Sequence, residues 1–141
     1  MKKIVSFVLI LMLAGAVSLS FTACKKENDE MKVSENQGIG YIQITPEEAK
    51  KIMDSESGYV ILDTREQDEF DEGHIEGAML IPYDKIEERA EEKLNDKSQL
   101  ILVYCRSGRR SKIAAQSLAD MGYTNVKEFG GIIDWPYETV K

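Results

Sequence analysis

The sequence predicts an α/β domain, a mainly parallel sheet with helices on both faces, and three observations point there. Five short apolar runs, Tyr41–Ile44, Tyr59–Leu62, Ala78–Ile81, Leu100–Tyr104 and Val126–Phe129, have strand character. Stretches with helical signals alternate with them across short connections, the pattern of a parallel sheet. At 141 residues, 43% hydrophobic and 30% charged, the chain suits one domain large enough to bury a core.

Taken in order, Lys2 and Lys3 precede an apolar run, and residues 4–24 carry no charge. Such a run is long enough to span a bilayer as an uncleaved anchor. A basic start, an apolar middle and small residues before a cut also fit a secretory signal over residues 1–23. The ending Leu19-Ser20-Phe21-Thr22-Ala23-Cys24 resembles a bacterial lipoprotein signal, which implies lipidation of Cys24, with Phe21 standing where that pattern has Leu, Val or Ile. On either reading the lysines stay inside and the domain goes out, giving an extracytoplasmic, membrane-anchored protein. Residues 24–40 form the next segment. From Lys25 it carries seven charged residues and no aromatic, and reads as a flexible tether.

The folded domain is expected over residues 41–141. Thr45-Pro46-Glu47-Glu48 is a capping box with proline at the first helical position, so a helix runs from there to about Ser55. The strand Tyr59–Leu62 ends on Asp63. Glu66–Glu72 reads as a short helix stopped by Gly73, and Pro82 ends the strand Ala78–Ile81. Asp84–Leu94 is an amphipathic helix with Ile86, Ala90 and Leu94 on one stripe. Leu100–Tyr104 is the central strand, and Ser111–Met121 a helix with Gly122 as its left-handed cap. After the last strand, Ile132–Tyr137 reads as a short helix over the core.

The chemistry gathers at Cys105. A strand running into the loop Cys105-Arg106-Ser107-Gly108-Arg109-Arg110, followed by a helix, brings several backbone N–H groups around one point at the helix's positive end. That setting and three nearby arginines lower a thiol pKa and favour the thiolate. If Cys24 carries lipid, Cys105 is the one thiol left, and no disulfide forms. One histidine and two cysteines are too few for a structural zinc site, and we expect neither metal nor cofactor. A net charge of −7 gives no general reason to bind nucleic acid.

Three blocks then carry a resemblance. Cys105-Arg106-Ser107-Gly108-Arg109-Arg110-Ser111 resembles the active-site loop of single-domain rhodaneses. Asp63-Thr64-Arg65 through Glu69-Phe70 to Gly73-His74-Ile75-Glu76-Gly77-Ala78, with Ile81-Pro82, resembles that family's second signature. Gly130-Gly131 with Trp135 resembles its C-terminal end. The resemblance implies a rhodanese-like fold with five strands and a sulfurtransferase that carries sulfane sulfur as a Cys105 persulfide. It implies a monomer whose partners are a small sulfane donor and a thiol acceptor. The backbone from Arg106 to Ser111 forms the nest and Arg110 is the loop-terminal arginine. Arg106 and Arg109 face outward, where they attract an anionic donor. Asp63 and Arg65 form an ion pair supporting the catalytic loop, and His74 braces neighbouring loops. Two-domain thiosulfate-specific rhodaneses differ by carrying lysine at Ser107, threonine at Arg110 and arginine at Glu69. A persulfide carrier or docking module would use the same nucleophile. A cysteine phosphatase or arsenate reductase is the other alternative, but its C-x₅-R loop is one residue longer than the spacing from Cys105 to Arg110.

Overall fold

A computed structural model of the chain describes residues 40–141; the signal segment expected over residues 1–23, the lipidation expected at Cys24 and all but the last residue of the expected tether lie outside them. The elements follow as β1 (Ile42–Gln43), α1 (Pro46–Ser55), β2 (Val60–Asp63), α2 (Gln67–Glu72) and β3 (Ala78–Leu80). After a 3₁₀ turn at Tyr83–Lys85 come α3 (Ile86–Lys93), β4 (Ile101–Cys105), α4 (Arg109–Asp120), β5 (Val126–Gly131) and a second 3₁₀ turn at Ile132–Asp134. The five strands form one sheet in the order β1-β5-β4-β2-β3, every pair parallel. Among the described residues no helix is long and apolar enough to cross a membrane.

The sheet is covered on both faces, which is why β4 is apolar without interruption and buried along its whole length. Its side chains alternate. Ile101 and Val103 pack with Ile86, Ala90, Ala114 and Leu118 under α3 and α4. Leu102 and Tyr104 pack with Ala49, Phe129 and Trp135 under α1 and the C-terminal segment. Each fully buried large aliphatic contributes roughly 1.5–3 kcal/mol. The two-residue period puts Cys105 on the α4 face with Ile101 and Val103. It puts Glu128 on that same face with Val126. The position of the nucleophile and of the acid beside it thus follows from strand parity.

The expected capping box is present: Thr45 Oγ1 accepts from the Glu48 N–H, and Glu48 Oε2 from the Thr45 N–H. The strands shift by one or two residues at their ends, and three helices differ from expectation. The helix expected from Asp84 begins at Ile86, because no side chain caps its start and the Lys85 N–H closes a tight turn onto the Pro82 carbonyl. The helix expected from Ser111 begins at Arg109. Gly108, at φ 90°, turns the chain in a left-handed conformation that favours glycine and caps the helix itself. The helix expected over Ile132–Tyr137 is only the 3₁₀ turn Ile132–Asp134, since the residue before Pro136 is driven extended.

Candidate active site

The site is built where β4 runs into α4. Cys105 is 1% exposed, and its Sγ accepts the Gly108 N–H at 3.1 Å. Burial, the largest influence, pushes the thiol up. The Ser111 hydroxyl and the backbone N–H groups of Ser111, Ser107 and Gly108 together outweigh it, so the thiol stands below its ordinary value. The sequence reading credited that acidity to the backbone cradle and the three arginines together. The structure gives it to backbone donors and one serine, because Arg106 and Arg109 are exposed and Arg110 points to another partner.

A register shift shapes the cradle from below. Val103 pairs with Glu128 and Cys105 with Gly131, so β5 carries one extra residue over that interval. The bulge lets Gly131 pass directly under the loop. A Cβ at Gly131 would lie 2.2 Å from the Arg106 carbonyl oxygen and 2.5 Å from Ser107 Cα. That carbonyl accepts the Ile133 N–H at 3.2 Å, which ties the loop to the C-terminal segment.

Glu128 completes the base of the cradle. It is 2% exposed, and its Oε1 accepts the Ser111 hydroxyl at 2.6 Å and the Gly130 N–H at 2.9 Å. The Ser111 hydroxyl has one proton and several acceptors around it: Glu128 Oε1 at 2.6 Å, the Gly108 carbonyl at 3.1 Å and the Gly130 carbonyl at 3.4 Å, with the Cys105 thiol close by. The sequence reading missed this acid. Its only signal was a lone carboxylate at an inward-facing position of a strand.

The flanking residues are arranged as follows. Arg110 makes a two-pronged ion pair with Glu69 of α2, Nη1 to Oε2 at 2.6 Å and Nη2 to Oε1 at 2.8 Å. Asp63 and Arg65 do pair, with Arg65 Nη2 2.6 Å from Asp63 Oδ2 and both residues buried. The pair's outward contact differs from expectation: Arg65 Nη2 donates to the Gly73 carbonyl at 2.7 Å, which fastens the loop before His74 rather than the cysteine loop. Thr64 makes the connection to β4, its N–H and hydroxyl both reaching the Tyr104 carbonyl, at 3.0 and 2.9 Å. His74 stacks on Phe70 at 3.7 Å, and its Nδ1 lies 3.0 Å from the Phe70 carbonyl. Its backbone exchanges two hydrogen bonds with Val140. These contacts join α2 to the C-terminal segment. Trp135 packs on Phe129 as part of the core.

A family model described as a rhodanese-like domain matches residues 45–136.

The chain belongs to the rhodanese family.

Among rhodanese relatives, thiosulfate sulfurtransferase PspE of Escherichia coli is 36% identical over 80 residues, spanning 57% of this chain and 77% of its own. A Bacillus subtilis protein named as a sulfur carrier, YrkF, is 37% identical over 98 residues, spanning 69% of this chain and 52% of its own. A solved E. coli rhodanese with anions superposes with a TM-score of 0.56 at 35% identity, covering 59% of this chain and 98% of that one. Rhodanese relatives thus carry both names, sulfurtransferase and sulfur carrier. The five-stranded parallel sheet agrees with the rhodanese-like fold expected from the sequence.

Proposed function

We propose that this rhodanese is a sulfurtransferase that moves a sulfane sulfur through a persulfide on Cys105. The observation that carries the reading is the acidified Cys105 thiol inside a ring of backbone N–H donors. In the first half-reaction the Cys105 thiolate attacks the outer sulfur of the donor. An S–S bond to Cys105 forms, the donor's bond to that sulfur breaks, and its electron pair leaves with the remainder of the donor. In the second, an acceptor thiolate or cyanide attacks the outer sulfur and the Cys105 thiolate departs with its electron pair. The N–H groups of Ser107, Gly108 and Ser111 hold the negative charge at each stage. Exposed Arg106 and Arg109 raise the positive potential at the mouth, and Arg110 borders it. Asp63, Arg65 and His74 fix the loops around the cradle. The name of the E. coli relative PspE supports sulfurtransferase activity, and that of YrkF supports a carrier variant of the same chemistry.

The phosphatase alternative fares worse on chemistry. A transferring phosphoryl group presents three equatorial oxygens, and the arginine that would meet them in such a loop is here occupied by Glu69. The test exposes the protein to a sulfane donor and separately to an aryl phosphate. Intact mass should gain one sulfur atom, Cys105→Ser should gain none, and phosphate release should be negligible. Phosphate release without sulfur loading overturns the reading. Loading that is slow with every small donor but fast onto one protein acceptor selects the carrier variant.

We also propose, from the sequence alone, that residues 1–23 are removed and that a lipid on Cys24 anchors a monomeric domain outside the cytoplasmic membrane. Cys24→Ala should abolish lipid labelling and membrane association. A variant that stays membrane-bound would select the uncleaved anchor instead.

A further inference from the structure

The loop holds three arginines, yet only one of them is placed to bind an anion closely. Arg106 and Arg109 are exposed, so their charges are hydrated and screened by salt beyond about 8–10 Å. Arg110 is different: its side chain is 17% exposed, it lies in the first turn of the helix behind Cys105, and its guanidinium offers the two-pronged geometry that suits an oxyanion. Glu69 occupies that fork with both carboxylate oxygens, its own side chain 24% exposed.

The carboxylate is well held. Hydrogen bonding to Arg110 chiefly, against opposing desolvation, brings the Glu69 carboxyl down to about 2, so it is ionised wherever the thiolate exists. Its Oε2 also accepts the Glu66 N–H at 3.2 Å, which fixes it to the first turn of α2. The segment Glu66–Glu72 adds Glu66, Asp68, Asp71 and Glu72 and contains no basic residue. A doubly charged donor approaching Arg110 therefore meets an arginine already neutralised and an acidic segment behind it. Displacing Glu69 would leave a partly buried carboxylate without its partner.

We propose that Glu69 is a specificity-determining residue: by occupying Arg110 it selects against dianionic sulfur donors and leaves the cradle to alkyl persulfides of zero or single charge. This rests on the sulfur-transfer reading of Cys105. With such a donor, R–S–SH, the Cys105 thiolate attacks the outer sulfur. R–S⁻ leaves with the electron pair, and the outer sulfur's proton stays on the new Cys105 persulfide. No oxidant or further reactant is needed.

The test measures single-turnover sulfur loading of the full chain by intact mass, using thiosulfate as the dianion and cysteamine persulfide as the donor without net negative charge. Glu69→Gln keeps the side chain's size and removes its charge. The ratio of thiosulfate loading to cysteamine persulfide loading should rise about tenfold, seen in the concentration dependence for thiosulfate, and should fall back when Arg110→Gln is added. For the unmodified protein, added salt should narrow the gap between the two donors, a readout that needs no variant. An unchanged ratio, or a gain that survives Arg110→Gln, overturns the proposal. If neither donor loads the unmodified protein, it is the sulfurtransferase reading of Cys105 that fails.

Discussion

The carboxyl ends of β2 and β4 lie side by side, Asp63 opposite Tyr104, and they end in opposite ways. At the end of β2 a carboxylate is buried with its own counter-ion, and Arg65 Nη2 donates to the Gly73 carbonyl as well as to Asp63. That end is electrostatically closed. At the end of β4 the charges point away and the backbone turns inward, so N–H groups converge on a single sulfur. That end is an anion receptor built from main chain. Neighbouring strands of one sheet thus provide a structural fastening and a cradle that acidifies a thiol. The difference lies in whether side chains or peptide groups satisfy the charge.

The comparison can be tested by altering either end. The largest effect is expected at the β4 end from Gly131→Ala, because the added carbon meets backbone atoms that have no room to yield. Displacing the loop by about 1 Å should cost roughly a hundredfold in sulfur loading. Overpacking should also cost about 1–3 kcal/mol of stability, read by urea denaturation. Normal loading by this variant would mean that the cradle does not depend on β5. Next is Arg65→Met, which strands a buried Asp63 carboxylate and should lower stability by about 3–5 kcal/mol. In the fraction that remains folded, the pH profile of Cys105 alkylation should not move. A shifted profile would show that the two ends are coupled after all.

Ser111→Ala should raise the pH midpoint for alkylation, and because it also takes a donor from the buried Glu128 it should lower stability by about 1–3 kcal/mol. It removes one donor to the thiolate, and loading at neutral pH should fall about tenfold. An unmoved midpoint would assign the acidity wholly to the backbone. The smallest effect concerns Glu69, whose carboxyl stands at about 2 in the folded protein against an ordinary 4.5. A lowered acid stabilises the fold fully above the ordinary value and loses that contribution as pH falls toward 2. The stability difference between the unmodified protein and Glu69→Gln, about 1 kcal/mol for a partly exposed pair, should therefore shrink between pH 4.5 and 2. Thermal melts of both across that range would show it, and a difference independent of pH would mean that the carboxylate's charge contributes nothing.

Much of this was legible in the sequence because strands, caps and glycine turns are local signals. The Thr45–Glu48 box, the stripe of Ile86, Ala90 and Leu94, and the uninterrupted run into Cys105 each need only a few neighbouring residues to read. What escaped depended on residues distant in the chain. Glu128 acquires its place at the cradle only because the bulge at Gly130 and the parity of β5 bring it to Ser111, 17 positions earlier. The Arg110–Glu69 pair spans 41 positions and reverses the arginine's apparent availability. The start of α4 was misjudged for a related reason. Two arginines at a helix N-terminus oppose its dipole, and the carboxylate that offsets one of them belongs to another element.

The bulge has a consequence for the history of the molecule. The thiol's surroundings are assembled from β4, from α4 and from Glu128 to Gly131, which are the last of these to be synthesised. Until that final strand docks beside β4, the loop after Cys105 lacks the floor that Gly131 gives it and the tie from Ile133 to its Arg106 carbonyl. The donors to the thiol lie within the loop and the start of α4, but what holds them in shape is made last. The cradle is finished only when the C-terminal end of the chain is in place.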